Sequence, residues 1–206
     1  MHFILFFYLK ATHPPRSTGI AEWYSPIAPG TGLHPRPGPT PTLQAFFSEV
    51  DPTWETLFYP SRKGETLAEL HSRIDAFIRA FGPALSQRLP AERTRRLLMV
   101  SHAATVIALV RCLTGDREMH MKVGCCSLTE LEKREDLEKD RLEGVWKPLM
   151  LVSGDHLKGG SSREWGFEDI EVEKGRVRFC FVFERFTDVD DFLVGCRRSR
   201  SARITA

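Results

Sequence analysis

The run from Arg95 to Gly115 constrains the chain more than any other stretch. Leu97 to Val100 is short and unbroken in its apolar character, the pattern of a strand buried on both faces. The apolar residues from Val106 to Leu113 fit a helix that stops at Gly115, a residue type that closes helices. A strand feeding directly into a helix is the unit of an α/β sheet, and it puts Ser101 and His102 at the carboxyl end of the strand, where such sheets bind ligands. A histidine there lies beside backbone N–H groups that no helical carbonyl satisfies and at the positive end of a helix dipole, a setting suited to phosphate. A histidine that caps a turn or packs against the sheet edge is the competing reading of the same position.

At 206 residues the chain is long enough to bury a core as one domain with appendages. Apolar residues at 42% and charged residues at 27% are ordinary for a globular protein, and a formal net charge of +2 selects no particular partner. The five cysteines, Cys112, Cys125, Cys126, Cys180 and Cys196, have neither metal-ligand spacing nor a disulfide framework and read as reduced thiols. No segment approaches the roughly 20 apolar residues that span a bilayer. An intracellular, cytoplasmic or nuclear protein is therefore expected. The apolar start, Phe3 to Leu9, reads as a strand, as a misplaced chain start, or as a secretory core, the last disfavoured by the absence of a preceding basic residue and of a clear cleavage site.

Three regions follow from punctuation and periodicity: an apolar N-terminal segment, 1–18, a domain over 19–170, and a C-terminal extension, 171–206, ending in the basic run Arg197 to Arg203. Prolines and glycines between Pro14 and Pro41 prevent long regular elements. Inside that region Glu22 is flanked by Ile20, Ala21, Trp23 and Tyr24, so it is either a partly desolvated acid or an exposed glutamate beside two anchoring aromatics. Thr66 and Glu69 have capping-box spacing, and Leu67, Leu70, Ile74, Phe77, Ile78, Phe81 and Leu85 form the stripe of an amphipathic helix covering one sheet face. His71 and Arg73 read as solvated residues of that helix, while Glu65 is a candidate to face a pocket. Ser127 to Leu131 and Trp146 to Val152 are further strands, Glu132 to Glu143 an exposed charged segment, Ser153 to Gly160 a glycine-rich turn, and the alternation from Val177 to Phe183 a half-buried edge strand.

Gly64-Glu65-Thr66, Val100-Ser101-His102-Ala103-Ala104 and Gly19-Ile20-Ala21-Glu22-Trp23-Tyr24 together resemble the histidine phosphatase superfamily, whose fold is the three-layer α/β/α sheet of phosphoglycerate mutase. Tyr59 to Glu65 and Ser153 to Phe167 are similar to a fungal branch of it that includes the phosphatase-like subunit of the RNA polymerase III initiation factor TFIIIC. The resemblance implies that His102 is the second histidine of a phosphate pocket and Glu22 the acid that protonates the leaving oxygen, with Ser101 and Ala103 beside them as substrate-binding positions. It implies hydrolysis of a phosphate monoester through a phosphohistidine, without metal or other cofactor.

The Arg-His-Gly that carries the nucleophile in that superfamily has no match here, nor does the second arginine that clamps phosphate. His13 has Thr12 and Pro14 as neighbours and lies too close to Glu22 to stand in for it. In-line phosphoryl transfer needs a placed nucleophile and cations on the equatorial oxygens, and loss of one placed donor alone costs about 10²–10³ in rate. The expectation is a phosphatase-like sheet incomplete at its N-terminus, with weak or no hydrolase activity. A phosphorylated small molecule or phosphoprotein is the substrate class if it is active. The alternative is a non-catalytic interaction module of a TFIIIC-like assembly, with Pro35 to Pro41 and the basic tail as contact elements and no direct binding of nucleic acid or membrane.

Overall fold

The computed structural model describes residues 2–5, 18–36, 38–48, 50–51, 53–54, 56–88, 96–134, 142–173 and 176–179, with the backbone alone at 2–5, 18, 88, 96, 171–173 and 176–179. His13, the basic run 197–203, Cys180, Cys196 and residues 180–183 of the alternating segment lie outside the described residues.

The first long helix begins where its cap predicts. The Thr66 N–H donates to Glu69 Oε2 at 2.7 Å and the Glu69 N–H to Thr66 Oγ1 at 3.2 Å, a reciprocal capping box that satisfies two N-terminal donors. Helix α2 (Leu67–Arg88) follows a short α1 (Thr40–Gln44) and turns Leu70, Ile74, Phe77, Ile78, Phe81 and Leu85 inward, all buried. Strand β2 (Arg96–Met99) leads to α3 (Ala103–Thr114), which carries a core stripe from Ala104 to Leu113 and ends at Gly115 with φ 80. Val100, Ser101 and His102 belong to neither element: the strand ends two residues before Ser101, and His102 is the extended N-cap of α3.

The main sheet runs in the order β2, β1, β4, β5, where β1 is His2–Leu5, β4 is Leu128–Lys133 and β5 is Trp146–Ser153. β1 pairs in parallel with β2, His2 against Arg96 through Leu5 against Met99, and antiparallel with β4. The apolar chain start, His2–Leu5, is thus a strand at the centre of the sheet, one of the readings its sequence allowed. Met99, Leu131 and Trp146 point from the sheet into the core shared with α2 and α3, whereas Leu98, of opposite pleat, is 47% exposed. Among the described residues both long helices cover one face, and no second helical layer is present. Two small ribbons complete the described chain: β3 (Val123–Cys125) with β6 (Ser162–Trp165), and β7 (Ile170–Glu173) with β8 (Arg176–Phe179). None of the described helices is long and apolar enough to cross a membrane.

Among the described residues, 21–36 of the proline-rich segment form no helix or strand and are pinned instead to residues 59–64. The Ile27 and His34 N–H groups donate to the Lys63 and Arg62 carbonyls, and the Arg36 guanidinium lies over the Tyr59 ring at 4.9 Å. Gly64 is required at the crossing: its φ is 85, and a Cβ there would stand 2.2 Å from the Ser25 carbonyl oxygen.

Candidate functional site

The site forms where the loop after the turn Thr18–Ile20 crosses the start of α3. Ser101 Oγ donates to the Ile20 carbonyl at 2.6 Å and Thr105 Oγ1 to the Ala21 carbonyl at 2.8 Å, so the strand–helix junction holds the loop from one side. From the other side the Trp23 indole N–H donates to the Glu65 carbonyl at 2.8 Å, and the Glu65 N–H to the Tyr24 carbonyl at 2.8 Å. Glu22 lies between these anchors, and its Oε2 is 2.6 Å from His102 Nδ1.

The two residues expected to act together are therefore in contact, each side chain still partly open to solvent at 38% and 46%. The contact orients the imidazole: Glu22 holds the Nδ1 edge of the His102 ring. Ser101 is buried and spends its hydroxyl proton on Ile20, while Ala103 has only backbone to offer a ligand. His102 makes no side-chain cap to α3, and the first-turn N–H groups of the helix lie beside it.

A cavity of about 490 Å³ opens on this pair. Met99, Val106, Val123, Trp23 and Trp165 form its apolar wall, Cys125, Cys126 and Ser127 one rim, and Arg163 brings a cation. Its size is that of a small-molecule site. Arg163 and the two thiols escaped the sequence reading because the β3–β6 pairing that delivers them has no periodic or motif signal.

The support behind the loop is a buried ion pair. Arg73 Nε lies 2.9 and 3.0 Å from the two Glu65 carboxylate oxygens, and its Nη1 donates to the Gly19 carbonyl. The expectation of a solvated Arg73 is corrected: it is 6% exposed, because α2 turns it toward the chain entering the site. His71, also expected in solvent, is half-buried, with Nδ1 2.8 Å from the Leu67 carbonyl and its ring edge-on to Phe167.

One cluster has metal-ligand chemistry. Asp75, Cys112 and Glu143 bring three donor atoms within 4.8 Å of one another. Arg117 Nη2 already meets both Asp75 oxygens at 2.7 and 2.8 Å, and Arg79 Nε meets Glu143 at 2.7 Å, so the cluster is an ion-pair crosslink from α2 to the segments flanking it. Burial first, then the Asp75 carboxylate, pushes the Cys112 thiol far above its ordinary range and keeps it protonated.

No model of a protein family matches the chain. Compared with curated proteins, it spans 39% of the length of one relative that it matches, in an alignment of 177 residues that covers 73% of this chain. Over that alignment the chain is 32% identical, and thereby similar, to the transcription factor tau 55 kDa subunit of Saccharomyces cerevisiae.

Proposed function

We propose that the chain serves as a component of a transcription-factor assembly of the TFIIIC type, acting in the nucleus, and that its phosphatase-like cleft is kept as an anion seat with little or no turnover. The observation that carries the reading is the 32% identity to a transcription factor subunit across 73% of this chain. Membership of the histidine phosphatase superfamily is part of the proposal. It is supported by the meeting of Glu22 and His102 at 2.6 Å beside a cavity at the carboxyl end of β2.

The same residues argue against efficient hydrolysis. His102 at an N-cap can offset charge on a phosphoryl group and Glu22 can hold or give a proton. Neither attacks phosphorus in line, and the 206 residues contain no Arg-His-Gly to do so. Affinity purification of the tagged chain from its native host tests the assembly. Recovery of other transcription-factor subunits is expected, and their absence would overturn the proposal. Hydrolysis of p-nitrophenyl phosphate tests the cleft: the expected result is no turnover above a His102→Ala control, and turnover that disappears with His102 would restore the enzyme reading.

A further inference from the structure

The ribbon that walls the cavity is irregular in one place. Val123 pairs with Trp165 and Cys125 with Ser162, so Arg163 and Glu164 together stand opposite the single residue Gly124. Such a bulge re-aims the side chains within it. Gly124 permits it, since a Cβ there would lie 2.7 Å from Ser161 Cβ and 3.1 Å from the Ser162 carbonyl oxygen. Arg163 takes φ 53, a left-handed backbone that disfavours any side chain with a Cβ. Among the described residues its guanidinium makes no hydrogen bond or ion pair that would hold it so. Residues held in such backbone conformations cluster at ligand sites.

The charge of the cavity points the same way. The residues lining it include one acid, one histidine and one arginine: Glu22, His102 and Arg163. With Glu22 against the ring, His102 faces an anion beside a negative group, and a cation is needed for the anion to stay. We infer that Arg163, aimed by the bulge, is that cation. Together with His102 it receives the oxyanion of a phosphate monoester whose organic part lies against Met99, Val123 and Trp165. This rests on the reading of His102 as an anion seat, and it draws the guanidinium from the carboxyl half of the chain, where the resemblance supplies none.

Isothermal titration of the full chain with phenyl phosphate, and separately with inorganic phosphate, tests it. Arg163→Gly is expected to weaken phenyl phosphate by about ten- to a hundredfold. Its thermal midpoint should hold or rise, because glycine adopts φ 53 freely. Arg163→Lys should bind with intermediate affinity, keeping the charge and losing the fork. Undiminished affinity in Arg163→Gly, with binding lost in His102→Ala, overturns the arginine's role and leaves the seat standing. If the wild-type chain binds neither probe, or His102→Ala binds as wild type does, the seat falls and this assignment with it. Inorganic phosphate binding as tightly as phenyl phosphate overturns the place given to the organic part.

Discussion

Cys112, Cys125 and Cys126 are chemically alike as residues, and their surroundings separate them completely. Cys112 is buried on α3 and held as the thiol by desolvation and by Asp75; Cys125 and Cys126 are exposed on the cavity rim. Alkylation of the native chain followed by peptide mass spectrometry should label Cys125 and Cys126 and spare Cys112. A pH effect follows with a definite sign. The folded state raises the Cys112 pKa above its ordinary 9.0, so the group's contribution to stability is fully present below that value and is lost as pH rises beyond it, where the unfolded chain ionises first. Denaturant midpoints measured from pH 8 to 10.5 should fall less steeply for Cys112→Ala than for the wild type; parallel slopes would show that the thiol is not the group responsible. Asp169 behaves in the opposite sense. The bond to Lys122, then the Gly166 N–H, hold its carboxyl below the ordinary 3.8, so its contribution is present above that value and disappears as pH falls through the lower one. Asp169→Asn should remove that acid loss, as read by denaturant midpoints between pH 5 and 2.5.

The element that matters most to the site is the loop through Glu22, and most of its support comes from residues elsewhere in the chain. Arg73 ties α2 to Glu65 and Gly19, and the Glu65 backbone in turn ties down Trp23 and Tyr24. Arg73→Ala leaves the Glu65 carboxylate buried without its cation, and a loss of about 3–5 kcal/mol in chemical denaturation is expected. The pair is imperfect, since Arg73 Nη2 is buried without a partner. Arg73→Met combined with Glu65→Leu should therefore recover most of that stability while leaving Gly19 without its donor. Little of this arrangement was legible in the sequence. The capping box of α2, its apolar stripe and the strand–helix junction at His102 are the exceptions, because all three rest on contacts within a few residues. Arg73 reads as solvated in the sequence because a single arginine on a helix of mixed polarity gives no sign of the carbonyl that reaches it from 54 residues upstream.

For the molecule as a whole, the cleft and the surface that joins an assembly should be separable. A cavity of about 490 Å³ suits a small ligand better than a docked chain. His102→Ala is thus expected to recover transcription-factor subunits in affinity purification as fully as the wild type does; loss of those subunits would make the cleft itself the contact. The sequence by itself determined the capping box and apolar stripe of α2, the helix that stops at Gly115, and His102 and Glu22 as the residues to watch, because periodicity, capping and punctuation are short-range properties. Only the tertiary structure decided that the apolar start is a strand between β2 and β4, that Glu22 touches His102, and that a bulge carries Arg163 to the same cavity. Each of these depends on strand pairing and loop crossing between residues distant in the chain, and such contacts leave no periodic trace in the residues that make them.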